Sequence, residues 1–186
     1  MFCFLLEYKS NINYNELLHS ACYSGNVDIV KYLLNMGVMI NTTSYNSTPL
    51  LEACTHGHLH LVSLLVNAGA DVNRATKWDS PLIAASLRGY ESIVTLLIDL
   101  GADVNRTTYT DSPLIAACKA GHLPIVTLLI VNEADINQTT DDCSPLIAAC
   151  KGGYASIVTL LIDKGANIKD ATYDDITPLI AACKKW

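Results

Sequence analysis

Five prolines, at 49, 81, 113, 145 and 178, stand 32, 32, 32 and 33 residues apart, and each opens nearly the same phrase. It reads TPLLEAC at 48–54, SPLIAAS at 80–86, SPLIAACK at 112–119 and again at 144–151, and TPLIAAC at 177–183. Counting back one period from Pro49 reaches Leu17, after which Ala21, Cys22 and Gly25 match Ala53, Cys54 and Gly57. A period of this length is one supersecondary unit repeated along a solenoid.

Within each unit, Thr48, Ser80, Ser112, Ser144 or Thr177 stands where an N-cap hydroxyl is wanted, and the proline after it fits the first helical position. That helix is expected to end near Gly57, Gly89, Gly121 or Gly153, where the chain reverses with positive φ. A second helix follows; in ESIVTLLIDL, Ile93, Val94, Leu96 and Leu97 form one apolar stripe. It stops near Gly101, and a polar hairpin-like finger leads to the next capped helix. Helices this short are marginal alone, below the roughly 12–15 residues an isolated helix needs, so neighbouring units must stack and merge their stripes. The expected architecture is all-α: a curved solenoid of stacked helix-turn-helix units bearing fingers.

The stretch STPLLEACTHGHLHLVSLLVNAGADVN at 47–73 resembles the ankyrin repeat, and the resemblance covers nearly the whole chain. It implies one ankyrin-repeat domain over 1–186: a partial leading unit at 1–14, full units at 15–47, 48–79, 80–111, 112–143 and 144–176, and a partial trailing unit at 177–186. The family's usual histidine after Thr-Pro-Leu survives only as His19 and is otherwise Leu51, Ile83, Ile115, Ile147 or Ile180. The usual finger glycine is missing, with Asn46, Trp78, Thr110, Asp142 and Asp175 near its place, so the fingers are expected to turn in their own ways. Glu133 replaces the glycine found at Gly69 and Gly101, where left-handed geometry costs a side chain about 1–2 kcal/mol, and the fourth junction is expected to be the loosest.

Cys22, Cys54, Cys118, Cys150 and Cys183 share one repeat position, with Ser86 in the same slot. Equivalent atoms on adjacent helices are about 8–10 Å apart, too far for a disulfide, whose Cα atoms lie within roughly 4.4–6.8 Å, and equally wrong for one zinc ion. Five equivalent copies also do not make a catalytic thiolate beside a base. Small core filler is the expected role. Cys143, in a finger, and Cys3 alone are expected as exposed thiols. In THGHLH, His58 is expected to be buried, as is His122 in the same role, and His56 and His60 are not expected to converge with His58 on a metal.

Half of the 186 residues are apolar and 16% are charged, which describes an ordered chain. The net charge of −6 lacks the cationic excess that general nucleic-acid binding requires. Its longest apolar runs are far below the roughly 20 residues that span a bilayer. Seven cysteines, with no positive residue before the apolar N-terminal stretch and Glu7 close behind it, suggest a reducing, cytoplasmic location, or a host cytosol if the protein is an effector.

Partner-binding candidates come from two regions that form the concave face in ankyrin proteins. The fingers supply Tyr45, Lys77, Trp78, Asp79, Tyr109, Asp111, Asp141, Asp142, Tyr173 and Asp174. The ends of the inner helices supply Arg88, Lys119 and Lys151. Exposed aromatics beside Arg and Asp have the composition of interface anchors; the competing view is that the Asp and Lys columns merely solvate the surface. With no nucleophile, base or metal constellation and no cofactor expected, the sequence suggests a non-enzymatic, monomeric module for an unidentified protein partner. The chain begins and ends within a unit, so the alternative is the targeting piece of a larger, catalytic protein. A third view has Arg88, Lys119 and Lys151 hold an anionic ligand. The resemblance also implies hydroxylation as a modification open to the loop asparagines Asn41, Asn73, Asn105 and Asn137.

Overall fold

The computed structural model describes residues 13–140, 143–172 and 174–184, and it divides the chain into two compact units, 1–71 and 72–186. Both are built from pairs of short antiparallel helices, one inner and one outer. Residues 13–71 hold α1 (Tyr14–Tyr23), α2 (Val27–Asn35), α3 (Pro49–Thr55) and α4 (Leu59–Asn67). Residues 72–184 hold α5 (Pro81–Arg88), α6 (Glu91–Asp99), α7 (Pro113–Ala120), α8 (Leu123–Val131), α9 (Pro145–Gly152), α10 (Ala155–Asp163) and α11 (Pro178–Cys183).

The inner helices begin as their sequence dictates. The Thr48 hydroxyl accepts the Leu51 amide at 3.1 Å, and Ser80, Ser112, Ser144 and Thr177 accept the amide three residues on at 3.3 Å, each with proline at the first turn. In α1, which lacks the proline, the Asn13 carboxamide takes this role, accepting from the Asn15 amide at 3.1 Å. Such a cap is worth about 1 kcal/mol to a helix of this size.

At the turns between paired helices, glycine is required twice over. Gly25 and Gly89 have φ of 72° and 80°, and a Cβ at either would meet the ring of His58 or His122 at 2.6 Å. Those histidines precede α4 and α8 without capping them. Instead the His58 Nε2–H donates to the Tyr23 carbonyl at 3.0 Å, and His122 Nε2–H to that of Leu87 at 3.3 Å. Each ring thus ties one helix pair to the turn of the one before it. This role leaves His58 and His122 half-buried, where full burial was expected of them.

Within 72–184, α5 packs on α7, α7 on α9 and α9 on α11, with the outer helices following in parallel. Within 13–71, α1 packs on α3. Leu82, Ile83, Ala84 and Ala85 of α5, and their equivalents in α7 and α9, are buried between these layers. From the outer stripe, Ile93, Val94 and Leu97 are buried; Leu96, expected with them, is half-buried.

The shared cysteine position is core at Cys22, Cys54, Cys118 and Cys150, but Cys183 is exposed, since no later helix covers α11 among the described residues. Cys143, expected to be exposed, is 3% accessible. It sits directly before the Ser144 cap, and that approach to the helix carries it into the core with the cap. No described cysteine is in a disulfide. Burial pushes the Cys22 thiol up to about 12, with the Glu52 carboxylate adding to the effect, and raises Cys118 and Cys150 too, so these thiols stay protonated and inert. Cys3 lies outside the described residues.

Candidate interaction face

The fingers do not all close alike. Tyr45 and Asn46 both have positive φ, 50° and 61°, and close a two-residue hairpin whose rungs run from the Ser44 amide to the Ser47 carbonyl and back, at 3.0 and 2.9 Å. This is the primed turn that matches strand twist. At 76–79 and 108–111 only one such rung forms, from the Thr76 amide to Asp79 and from Thr108 to Asp111, at 2.8 and 2.9 Å. The threonine hydroxyls replace the second rung by accepting the Asp79 and Asp111 amides at 3.0 and 3.4 Å. A further closure stands at 172–176, where the Thr172 amide donates to the Ile176 carbonyl at 3.1 Å and Asp175 takes a φ of 56°, so the absence of a finger glycine has more than one solution in one chain.

The closure at 76–79 and 108–111 brings two of these fingers together. The Tyr109 amide donates to the Lys77 carbonyl at 3.2 Å, and the hydroxyls of Thr108 and Thr110 both donate to the Trp78 carbonyl at 3.3 Å. Held this way, the Trp78 and Tyr109 rings meet edge to face, 5.3 Å between centroids. The Lys77 ammonium lies 4.9 Å from the Trp78 ring and 5.4 Å from that of Tyr109. Trp78 nonetheless stays 47% exposed and Tyr109 59%. Aromatic pairs and cations over aromatic faces each contribute about 0.5–1.5 kcal/mol, enough to fix the rings while leaving their outer faces open.

Beside them lies a charge cluster. The Lys119 ammonium is 2.7 Å from Asp111 Oδ1. Asp79 accepts the Ser80 amide at 2.8 Å, yet burial pushes its carboxyl up to about 6; the Asp111 carboxylate also raises it, while the Ser80 amide and Arg88 pull the other way. Asp79, Arg88, Asp111 and Lys119 thus act on one another, whereas Lys151 is exposed and shares with Lys119 a groove of about 260 Å³ floored by Cys143 and Ala148. Lys119 is committed to Asp111, so Arg88, Lys119 and Lys151 are not an undivided anion cradle. Asp174 is exposed, and Asp141, Asp142 and Tyr173 lie outside the described residues.

In the other compact unit, Tyr45 is 92% exposed at its hairpin tip and lines a groove with Glu16, His19, Ser20, Tyr23, Ser44 and Glu52. Apart from Tyr45, the sequence did not single these residues out as a site. One signal was available: Ser20 and Glu52 hold the repeat position that is alanine at 84, 116, 148 and 181.

The loop asparagines form a ladder. Asn41 Nδ2 donates to the Gly69 carbonyl and Asn41 Oδ1 accepts the Asp71 amide, at 3.0 and 2.9 Å. Asn73 does the same with Gly101 and Asp103, Asn105 with Glu133 and Asp135, and Asn137 with Gly165 and Asn167. Each carboxamide spans successive loops with both of its ends, a role invisible in spacing alone.

Among the described residues no helix is long and apolar enough to cross a membrane, and no three of His, Cys, Asp and Glu gather as metal ligands. His56, His58 and His60 are engaged separately: His56 Nδ1–H donates to the Glu52 carbonyl at 2.9 Å, His58 reaches Tyr23, and His60 is exposed.

These features define a class: a helix-pair repeat scaffold with fingers between successive pairs in each compact unit. A family model for ankyrin repeats (3 copies) matches residues 1–76, 75–140 and 114–185, and the chain belongs to the ankyrin repeat family. Among solved structures it is similar to the human ASB11 ankyrin repeat domain, with a TM-score of 0.78 and 31% identity over 89% of this chain and 76% of that one. A search of the curated proteins finds no match. Ankyrin repeats are in general protein-interaction modules without catalytic activity.

Proposed function

We propose that this protein is a monomeric, non-enzymatic adaptor of a reducing compartment that binds a protein partner through its fingers and inner helices. The observation that carries this reading is the Lys77, Trp78 and Tyr109 cluster. Two large rings are locked by cross-finger hydrogen bonds and a cation, at a small conformational-entropy penalty for binding, yet remain half exposed. Asp79 adds support, because a carboxylate held where burial penalises its charge is the kind of strain that gathers at functional sites. The protonated, buried thiols suit a location where disulfides do not form.

Affinity purification with quantitative mass spectrometry tests it. The Trp78→Ala/Tyr109→Ala variant and the Trp78→Ala/Asp79→Asn/Lys119→Ala variant should lose the protein enriched by the wild type. Val131→Ala, on an exposed outer-helix position, should keep it. Full retention by both finger variants, with circular dichroism unchanged, overturns the assigned face.

A further inference from the structure

The groove between α1, α3 and the hairpin at 44–47 is about 220 Å³ and differs from the rest of the face in its chemistry. Two carboxylates, Glu16 and Glu52, line it with two tyrosines, Tyr23 and Tyr45, exposed at 58% and 92%. Between residues 13 and 71 the single Lys or Arg is Lys31, which lies on α2 and not in the lining. We propose that this groove is a receptor for an arginine side chain of a basic segment in the partner protein. The proposal rests on the fingers and inner helices being the partner-binding face.

Repeat geometry shows why a ligand is needed to complete the groove. At the position of Ser20 and Glu52, Ala84, Ala116, Ala148 and Ala181 are buried, so the fold's default there is a methyl group against its neighbour. Glu52 departs from that default by placing a carboxylate beside half-covered apolar surface, where an opposite charge is worth more than in open water. His56 does not hydrogen-bond that carboxylate: its Nδ1 is 3.8 Å from the Glu52 carboxylate, and its N–H donates instead to the Glu52 carbonyl at 2.9 Å.

His19 gives an independent indication. Its side chain is nearly sealed, with the residue 7% exposed, and its Nε2 is 3.3 Å from the Thr42 hydroxyl. It lines the groove, and Nδ1 has no hydrogen-bond partner among the described residues. Burial lowers its pKa against the opposing influences of Glu52 and Thr42, so the His19 ring is neutral and adds no positive charge opposite Glu16 and Glu52. In the tautomer that donates Nε2–H to Thr42, Nδ1 is an acceptor for one more N–H.

Arginine fits this set better than lysine. Its flat guanidinium can stack on a tyrosine face while its five N–H donors are shared among two carboxylates on different helices and an imidazole nitrogen. The ring of Tyr23 is braced for such stacking by His56, at 4.2 Å between centroids.

The test is an NMR titration of the ¹⁵N-labelled full chain with N-acetyl-arginine methylamide, alongside its citrulline and lysine counterparts. The arginine probe should shift amides of residues 16–23, 44–47 and 52, and the neutral citrulline isostere should bind roughly tenfold more weakly or worse. Glu16→Gln/Glu52→Gln should reduce arginine affinity to the citrulline level. Exposed Glu16→Gln alone gives an intermediate loss without risk to folding. Trp78→Ala/Tyr109→Ala should leave these shifts intact, so failure of partner capture and failure of this groove are separable. Equal binding of arginine and citrulline, arginine shifts confined to other residues, or arginine binding unaffected by both glutamate variants overturns the proposal.

Discussion

Replacing Asp79 by asparagine should make the protein more stable at neutral pH, and the gain should vanish in acid. The folded state holds the Asp79 carboxyl at about 6 against an ordinary 3.8. A raised carboxyl binds its proton more tightly folded than unfolded, so stability falls as pH rises between the two values. Below about 4 both states are protonated and the penalty is absent; above about 6 it is fully present. Converted at 1.36 kcal/mol per tenfold, the gap is about 3 kcal/mol, and partial exposure of the carboxylate reduces this to about 1–2 kcal/mol. The carboxamide introduced by Asp79→Asn would keep the Oδ1 acceptor that receives the Ser80 amide at 2.8 Å and would give up only the attraction of Arg88. Urea titrations by circular dichroism from pH 4 to 7.5 should show the two curves converging at the acid end. At neutral pH the variant should melt roughly 3–6 °C higher. A difference independent of pH, or a less stable variant at pH 7, refutes the assignment of burial as the dominant influence on Asp79.

Three further outcomes follow from single positions. Glu133 has φ of 66° at the end of α8, where Gly37, Gly69, Gly101 and Gly165 stand in the other copies; Glu133→Gly should raise the urea midpoint, corresponding to about 1 kcal/mol. The Ser86 hydroxyl is fully buried without a hydrogen-bond partner in the slot where other units carry cysteine. Ser86→Ala should therefore stabilise by about 1 kcal/mol in the same titration, where an ordinary core truncation would destabilise. Asn105→Ala removes bonds of 3.1 Å to Glu133 and 2.7 Å to Asp135; it should cost about 1–2 kcal/mol and speed amide hydrogen exchange at Asp135.

What the sequence makes legible is whatever repeats. The caps, the first-turn prolines, the turn glycines and the inner apolar stripe recur every 32 or 33 residues, so each copy checks the others. Positions that depend on how the chain enters an element are less legible. Cys143 lies in a segment whose neighbours are polar, and only the geometry of the Ser144 cap shows that its side chain is drawn inward. His58 and His122 look like core from their place after glycine, but their hydrogen bonds to the preceding turn keep them at the edge. Of the binding candidates, composition could name Lys77, Trp78 and Tyr109. Their grouping depends on threonine hydroxyls reaching the Trp78 carbonyl from the next finger, which no spacing encodes.

The same logic separates scaffold from recognition. A repeat position filled identically in every copy must satisfy the stacking contact common to all units, and its substitution should read out as stability. A position that departs from the repeat while remaining exposed has no such duty. Trp78 stands at the finger position that carries Asn46 and Thr110 in the neighbouring copies, and Glu52 stands where four other copies have alanine. Each departure places a destabilising group, a half-bare aromatic ring or a partly covered carboxylate, where the fold itself would be served by something smaller. Ser86 is the instructive contrast, because it also breaks the repeat but is sealed inside, and no partner can reach it. On the proposed function, departure from the period points to recognition only when the side chain is open to solvent, and that criterion selects Lys77 and Trp78, with Tyr109 packed against them, in one compact unit and Glu52, with the groove it lines, in the other.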